Sequence, residues 1–520
     1  MLDKEILQQV KGVFTSLKTD IKFVADVAEG DNNGEELKSF LADIVSCSDM
    51  LSMEINIING GNTPAFGILR NDEPTGIVFR GIPNGHEFTS LLLAVLNADG
   101  QGKNIPDEAI CRRIASLKTP AVLRTYVSLT CTNCPDVVQA LNVMALINPG
   151  ISHEMIDGAL FQDEVSSRNI QGVPAVFLGD EQIHIGRGDL GMLLQKLEDK
   201  VGSETDTNAR PVEHKFDIVV AGGGPAGASA AIYSARKGLN VAIVAERVGG
   251  QVNETVGIDN LISVPHTTGS RLSADLLAHI ENYPIKVFAN RKINSVSLKD
   301  KEKRIAVKGG EVFISKAVII ATGAEWRRLN LENEDKYIGH GIHFCQHCDG
   351  PFYKGRDVAV IGGGNSGMEA AIDLAGICSH VTVFEFADTL RADNVLIEKA
   401  RSMSNIDIHT NSQTTGVKGD GQRLTGLTVK NRVSNEERDY AFDGVFVQIG
   451  LAPNSDLFAE EIELSPRREI PVDASCRTSV NGVYAAGDVS TVPYKQIVVA
   501  MGEGAKAALS AFEDIMRGVV

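Results

Sequence analysis

The stretch FDIVVAGGGPAG, residues 216–227, decides the fold. A mostly apolar, β-prone run enters Gly222, Gly224 and Gly227, and an alanine-rich, helix-like segment, ASAAIYSARKG, leaves them. Glycines at this spacing serve a tight turn, a close approach of backbone to a pyrophosphate and close packing of helix on strand. Pro225 and Ala226 open the helix, whose free N–H groups and positive dipole end suit phosphates. The next apolar run, Val241–Val244, ends near Glu246, 24 residues after Gly222, where an acid can accept ribose hydroxyls. The pattern returns in DVAVIGGGNSG, residues 357–367, with Gly362, Gly364, Asn365, Ser366 and Gly367 opening MEAAIDLAG. Its next strand, Val381–Phe384, ends at Glu385, 23 residues after Gly362. One such motif is weak evidence. Two copies, each between a strand and a helix and each followed by an acid, predict an α/β chain with two Rossmann-like dinucleotide sites. A flavin beside a nicotinamide is the natural pair. Glu385 favours NADH over NADPH, because a carboxylate repels a 2′-phosphate and the nearest downstream base is Arg391.

The chain has 520 residues, enough for about two to four domains. Its apolar fraction of 43% and charged fraction of 22% are those of a globular protein. The net charge of −17, with no strongly basic stretch, argues against a nucleic-acid partner. No apolar run approaches the roughly 20 residues that span a bilayer. The N-terminal MLDKEILQQVKGVF suggests an amphipathic helix without the apolar region of a signal peptide, so a cytoplasmic location is expected.

Four of the 8 cysteines form two Cys-x-x-Cys pairs, Cys131/Cys134 and Cys345/Cys348. In a reducing compartment such pairs indicate redox or metal chemistry. Cys131-Thr-Asn-Cys134-Pro135 follows a strand-like Arg124–Leu129 and opens a helix over Pro135–Leu146. A helix N-terminus stabilises a thiolate, and two intervening residues let a disulfide close and a mixed disulfide be resolved. Val173-Pro174 lies where a thioredoxin-like unit places a cis-proline. A zinc site built from the four sulfurs is the rival. The pairs lie 211 residues apart (345 − 134), across a polar segment, and no metal is assigned. His347, inside the second pair, stays open between a thiolate-stabilising cation and an exposed side chain. Cys47, Cys111, Cys378 and Cys476 are expected to be small buried apolar residues. The polar segment GSETDTNARPVEHK, residues 202–215, is expected to be a linker. Ahead of it, Pro64-Ala65 and Pro174-Ala175, 110 residues apart, each begin a strand–turn–strand–helix pattern. Two related units are expected, of which only the second has its cysteines.

These motifs together resemble a known family. Residues 216–520 look like a low-molecular-weight thioredoxin reductase. The whole chain resembles the flavoprotein subunits of bacterial alkyl hydroperoxide reductases, which add an N-terminal domain of two thioredoxin-like folds. The resemblance rests on the two glycine motifs, Gly249-Gly250-Gln251, Ala321-Thr322-Gly323, Cys345-x-x-Cys348-Asp349-Gly350, Gly482–Asp488 and Lys495-Gln496. It implies tandem thioredoxin-like units over 1–201, split near 103, and the linker at 202–215. It implies an FAD domain from 216–327 and 452–520, and an NADH domain over 328–451. Gly250, Gln251, Asn260, Thr322, Gly323, Gly487, Asp488 and Gln496 would join the first glycine motif around FAD. Cys348 would be the flavin-proximal cysteine, Cys345 the interchange cysteine and Asp349 their acid/base, with a turn or cap residue as the plainer role for Asp349. Cys131 would attack and Cys134 resolve. The implied activity is NADH-dependent reduction of a two-cysteine peroxiredoxin by a homodimer, in support of peroxide removal. A general protein disulfide reductase and a redox-gated binding protein remain alternatives.

Overall fold

The computed structural model describes residues 2–58, 62–168, 170, 172–204, 211–255, 257–344 and 346–520, without the side chains of Glu254, His347, Cys348 and Pro351. They divide into two compact units, Met1–Ala209 and Arg210–Val520.

The first unit runs α1 (Lys4–Phe14), β1 (Ile21–Val27), α2 (Asn32–Val45), β2 (Leu51–Ile57), β3 (Ala65–Arg70), β4 (Glu73–Arg80) and α3 (Phe88–Ala98). It continues α4 (Glu108–Ala115), β5 (Ala121–Val127), α5 (Cys134–Ile147), β6 (Ile151–Asp157), α6 (Gln162–Ser167), β7 (Ala175–Leu178), β8 (Glu181–Ile185) and α7 (Leu190–Val201). The two sets pair identically. β1 is parallel to β2 and antiparallel to β3, which turns back into β4. β5 is parallel to β6 and antiparallel to β7, which turns back into β8. β4 and β6 then join in parallel, making one eight-stranded sheet in the order β2-β1-β3-β4-β6-β5-β7-β8. One apolar core runs through both halves and includes Phe23, Phe79, Leu141 and Leu193. Arg80 of the first half ties to the second, donating to Glu164, which also accepts from Tyr126 OH at 3.0 Å.

The repeat is therefore present, but its register changes along the chain. β1/β5 and β2/β6 are offset by 100 residues (121 − 21 and 151 − 51), and only the third strands by 110 (175 − 65). The counterpart of Cys131 is thus Asp31 and that of Cys134 is Gly34, rather than positions reached by stepping back 110. A longer connection between β6 and β7 absorbs the difference.

In the second unit the strands Val212–Gly223, Val241–Val248 and Ile285–Phe288 are parallel, and Glu311–Ile320 adds in parallel on the other side. Val483–Ala485 pairs with Glu311–Ile320 near the chain's end. Ile218 to Ala221 are wholly buried, which is why the stretch lacks polar alternation. A second, parallel sheet holds Ile342–His343, Gly444–Val447, Asp357–Ile361, His380–Phe384 and Ile406–His409. The chain leaves the first sheet through Ala324–Trp326 and returns through Leu451–Pro453, and these two strands pair antiparallel.

The polar segment 202–215 is a shorter connector than its composition suggests. Lys118 N donates to Gly202 O at 3.0 Å, and Val212 to Lys215 already pair with the strand Glu311–Ile320. Residues 205–210 lie outside the described residues. Cys47, Cys378 and Cys476 are buried as expected, whereas Cys111, near the start of α4, is only partly so. Among the described residues no helix is long and apolar enough to cross a membrane.

Candidate active site

Cys134 begins α5 and is fully buried; Cys131, one turn earlier in the chain, is half-buried. Pro135 in the first turn gives up an N–H that the helix does not use. The Cys134 thiol hydrogen-bonds Cys131 and lowers its pKa to about 7; the Asn133 and Cys134 amides help, against burial. Cys134 is pushed far up by the same hydrogen bond, by burial, and by the charges of Cys131 and Glu87. This is the asymmetry an attacking thiolate and a resolving thiol need. The Val173–Pro174 peptide is cis, and Cys131 Sγ lies 3.9 Å from Val173 O.

Glu87 was not signalled by the sequence. It ends a 3₁₀ turn, Gly85–Glu87, directly ahead of α3. An acid just before a helix ordinarily caps it, and Asp189 at the equivalent place ahead of α7 does so, accepting from Met192 N at 2.9 Å. Glu87 caps nothing. It is wholly buried, and its carboxyl oxygens have no partner within hydrogen-bond geometry among the described residues. Burial pushes its pKa up to about 7; the Ser90 hydroxyl opposes this, and the charges of Cys131 and Asp136 add to it. The turn is pressed onto the loop that leads to Cys131, with His86 N donating to Leu129 O at 3.1 Å. A Cβ on Gly85, whose φ is +57°, would lie 2.4 Å from Leu129 O. The first half, which has no cysteine pair, therefore places a buried carboxyl beside the dithiol of the second.

Cys345 lies outside the described residues. Cys348 sits on the one-turn helix Gln346–Asp349, just before the strand Asp357–Ile361. Asp349 closes that helix, and its Oδ2 is 3.4 Å from His343 Nδ1.

The two glycine motifs have one geometry. Gly222 and Gly362 both have φ +119°, and a Cβ would fall 2.2 Å from Ala321 O and 2.4 Å from Gln448 O respectively. A Cβ on Gly227 or Gly367 would strike the carbonyl of Gly222 or Gly362 at 2.0 and 1.9 Å. The middle glycines differ from these. Gly224 and Gly364 are the N-caps of helices Pro225–Arg236 and Asn365–Ala375, and nothing lies within 4 Å of a Cβ on Gly364. That open ground at a helix N-terminus fits a pyrophosphate.

The other expected positions gather around the first cradle. Gly250 faces Gly224, Thr322 N faces Gly222, and Gly487 faces Ala226. Thr322 Oγ1 donates to Asn454 O at 2.8 Å, just ahead of Gly323. With its amide turned so that both groups are satisfied, Gln251 donates to Ala324 O and accepts from Trp326 Nε1, both at 3.2 Å. Asn260 Nδ2 donates to Gln496 Oε1 at 3.1 Å, joining positions 236 residues apart. Asp488 is raised by burial, and Lys495 partly opposes this. Glu246 lies exposed on the strand Val241–Val248. At the second cradle Ser366 is exposed in the first helical turn. Asn365 Nδ2 donates to Asp393 Oδ2 at 3.0 Å. Glu385 accepts from Gly363 N, within the turn, and from Ala387 N at 2.8 Å. Its carboxylate thus stands at the glycine turn, and among the described residues no arginine pairs with it. One cation hidden by sequence order is nearby: Arg432 lies over the Phe386 ring at 3.8 Å and donates to Phe386 O.

Comparisons with known proteins agree with this architecture. Residues 216–504 match the pyridine nucleotide-disulphide oxidoreductase model and residues 124–197 a thioredoxin domain model. The chain is 47% identical to an alkyl hydroperoxide reductase subunit of Staphylococcus aureus, over 99% of this chain and all of that one. It is 46% identical to the Staphylococcus epidermidis protein of the same name over the same shares. Thioredoxin reductase from Streptococcus pyogenes superposes with TM-score 0.55 at 30% identity, over 58% of this chain and 99% of that one. That from Giardia duodenalis superposes with TM-score 0.56 at 29% identity, over the same shares.

Proposed function

Because the chain belongs to the family of alkyl hydroperoxide reductase flavoprotein subunits, within the pyridine nucleotide-disulphide oxidoreductases, we infer that it carries electrons from NADH through FAD to Cys345–Cys348, then to Cys131–Cys134, and finally to a two-cysteine peroxiredoxin. The observation that carries this is the N-terminal dithiol, with one thiol lowered to about 7 and its neighbour pushed far up beside a buried carboxyl. The cradle of Gly222, Gly224 and Gly227 would hold FAD, which when bound would supply a two-electron relay between nicotinamide and dithiol. Glu385 at the second cradle selects NADH. In this reading Cys348 would take electrons from the flavin, Cys345 would exchange with the N-terminal pair, and Asp349 would move the proton as their disulfide opens and closes.

Cys345 attacks the Cys131–Cys134 disulfide to form a mixed disulfide with one of its sulfurs, and Cys348 then attacks Cys345, which re-forms the Cys345–Cys348 disulfide and leaves Cys131 and Cys134 reduced. The Cys131 thiolate then attacks a disulfide of the partner, and Cys134 resolves the mixed disulfide, giving its proton to Glu87. Peroxide itself is consumed on the partner. The reading divides the chain into 1–201, a connector, an FAD domain of 216–327 and 452–520, and an NADH domain of 328–451, and it places a homodimer in the cytoplasm.

The test follows NADH consumption with peroxide and a two-cysteine peroxiredoxin. Cys131→Ser and Cys345→Ser are each expected to lose turnover by about a hundredfold or more, while NADH still bleaches the flavin. A fully active Cys131→Ser would remove the N-terminal pair from the path.

A further inference from the structure

Arg432 follows Phe386 by 46 residues, yet the fold brings it to the loop that leaves Glu385. It comes directly after the strand Leu424–Asn431 of a three-stranded antiparallel sheet. Its backbone is pinned there: Arg432 N donates to Asn411 O, and Asn411 N donates to Ala387 O, both at 2.8 Å. Ser412 N donates to Glu385 O, also at 2.8 Å. The side chain is held as firmly. Its guanidinium carbon lies 3.8 Å from the centroid of the Phe386 ring, and Nη1 donates to Phe386 O at 2.8 Å. Phe386 is 54% exposed and joins neither of the two cores around this sheet. Next to it, the Glu385 carboxylate takes its hydrogen bonds from the amides of Gly363 and Ala387 instead of from a guanidinium. An arginine one residue away from a carboxylate is thus engaged by a ring face and a carbonyl.

We propose that Phe386 is a specificity-determining residue for the nicotinamide nucleotide, because it withholds Arg432 from the place where the 2′-phosphate of NADPH would lie. The proposal rests on the reading of Glu385 as the acid that meets the adenosine ribose. On that reading a 2′-phosphate meets two separate obstacles. The first is the Glu385 carboxylate, which repels it. The second is the lack of a partner: a planar guanidinium is the group that binds a phosphate best, and the one fixed beside this loop is stacked on Phe386. Removing the acid alone therefore leaves NADPH unwelcome. Arg391 is the other cation at the turn, its amide donating to Gly363 O at 2.9 Å, and its exposed side chain is the necessary control.

The experiment measures the dissociation constants of NAD⁺ and NADP⁺ by titration calorimetry on the full-length, FAD-loaded protein, with their ratio as the readout. Oxidised nucleotides give the flavin no electrons, so turnover does not enter. Glu385→Ser should move the ratio toward NADP⁺ by the lost repulsion, and adding Arg432→Ala to it should change the ratio by less than about threefold. Adding Phe386→Ala to Glu385→Ser should move the ratio about tenfold further toward NADP⁺. Arg432→Ala should take that gain back, Arg391→Ala should not, and added salt should shrink it. If Phe386→Ala weakens both nucleotides together, the ratio still decides, and Phe386→Leu repeats the measurement with an apolar side chain kept. The proposal is overturned if removing Phe386 brings no gain, if the gain is lost with Arg391 instead of Arg432, or if Arg432→Ala already costs NADP⁺ binding while Phe386 is present. If Glu385→Ser leaves the ratio where it was, the reading of Glu385 fails and takes this proposal with it.

Discussion

The two halves of the N-terminal unit share one strand pairing, yet they hold different chemistry at matching positions. Thr125, Asn142 and His153 of the second half stand where the first has Ala25, Ala42 and Met53. Cys131 and Cys134 stand where it has Asp31 and Gly34, and the inward Glu87 of the first half stands where the second has the cap Asp189. The same backbone therefore serves as a redox module on one side, and on the other as a support that lends a single carboxyl across the β4–β6 junction. A fold of this kind does not fix the chemistry; the side chains at a few equivalent positions do.

The largest expected effect of that difference is in acid. His153 is buried, with Nδ1 2.7 Å from Asn142 Oδ1 and Nε2 2.8 Å from Thr125 Oγ1. Burial lowers its pKa from 6.5 to about 3. Below pH 6.5 the unfolded chain takes up a proton that the folded chain refuses. Stability that is complete above 6.5 is thus lost progressively as the pH falls toward 3. The loss is on the order of 5 kcal/mol across that window. Hydrogen-exchange protection of the β5 and β6 amides should fall over this range. The triple variant Thr125→Ala, Asn142→Ala, His153→Met, which copies the first half, should flatten the fall. An equally steep loss in the triple variant would place the acid sensitivity elsewhere.

Glu87 is expected to matter next. Its carboxyl is neutral below about 7 and ionised above it. Oxidation of the Cys131–Cys134 dithiol by a disulfide should therefore accelerate as the pH rises through that value, since only the ionised form can take the proton of Cys134. Glu87→Gln should slow this step by about tenfold on the alkaline side and leave only the rise that ionisation of Cys131, itself lowered to about 7, supplies. A stopped-flow pH series of dithiol oxidation checks it, and a variant as fast as the wild type on the alkaline side would assign the proton to another group.

The doubly wound second unit was legible in the sequence because its signals are local. A buried parallel strand, three glycines and a helix follow one another without interruption from Val212 to Arg236, and a close carbonyl excludes side chains at two of the glycines. The Cys131/Cys134 pair was legible for the same reason, being one loop and one helix N-terminus. Glu87 was not. It lies 47 residues before Cys134 (134 − 87), and only the joining of β4 to β6 brings the two together. Ahead of α3 it looks like an ordinary cap, and nothing local says that the 3₁₀ turn moves the cap to Asn84 and turns the carboxyl inward. The repeat was legible as a pattern but not in register, because proline pairs mark only the third strands. Asn260 and Gln496 could be named from the resemblance, but their mutual hydrogen bond depends on the chain's return after the second sheet.

The smallest expected effect tests the vestigial side of the comparison. Asp31 accepts from Asn33 N at 3.2 Å and Gly34 N at 3.0 Å. The amides of Asn133 and Cys134, one repeat later, are those that steady the Cys131 thiolate. Both halves thus aim the same two N–H groups at an anion, a fixed carboxylate in one and a redox-active sulfur in the other. The carboxylate does what an N-cap does and no more. A Cβ on Gly34 would lie 3.1 Å from the Val27 Cβ, so a side chain at the position of the resolving thiol would require Val27 to yield by a few tenths of an ångström. Asp31→Ala should therefore cost about 1 kcal/mol of stability, as the loss of an N-cap does, read as a small shift of the denaturant midpoint. NADH-to-peroxiredoxin turnover should stay at the wild-type rate. Turnover that fell with the cap intact, as in Asp31→Asn, would show that the negative charge itself is used, and the first half would then be a second electrostatic element of the site rather than its support.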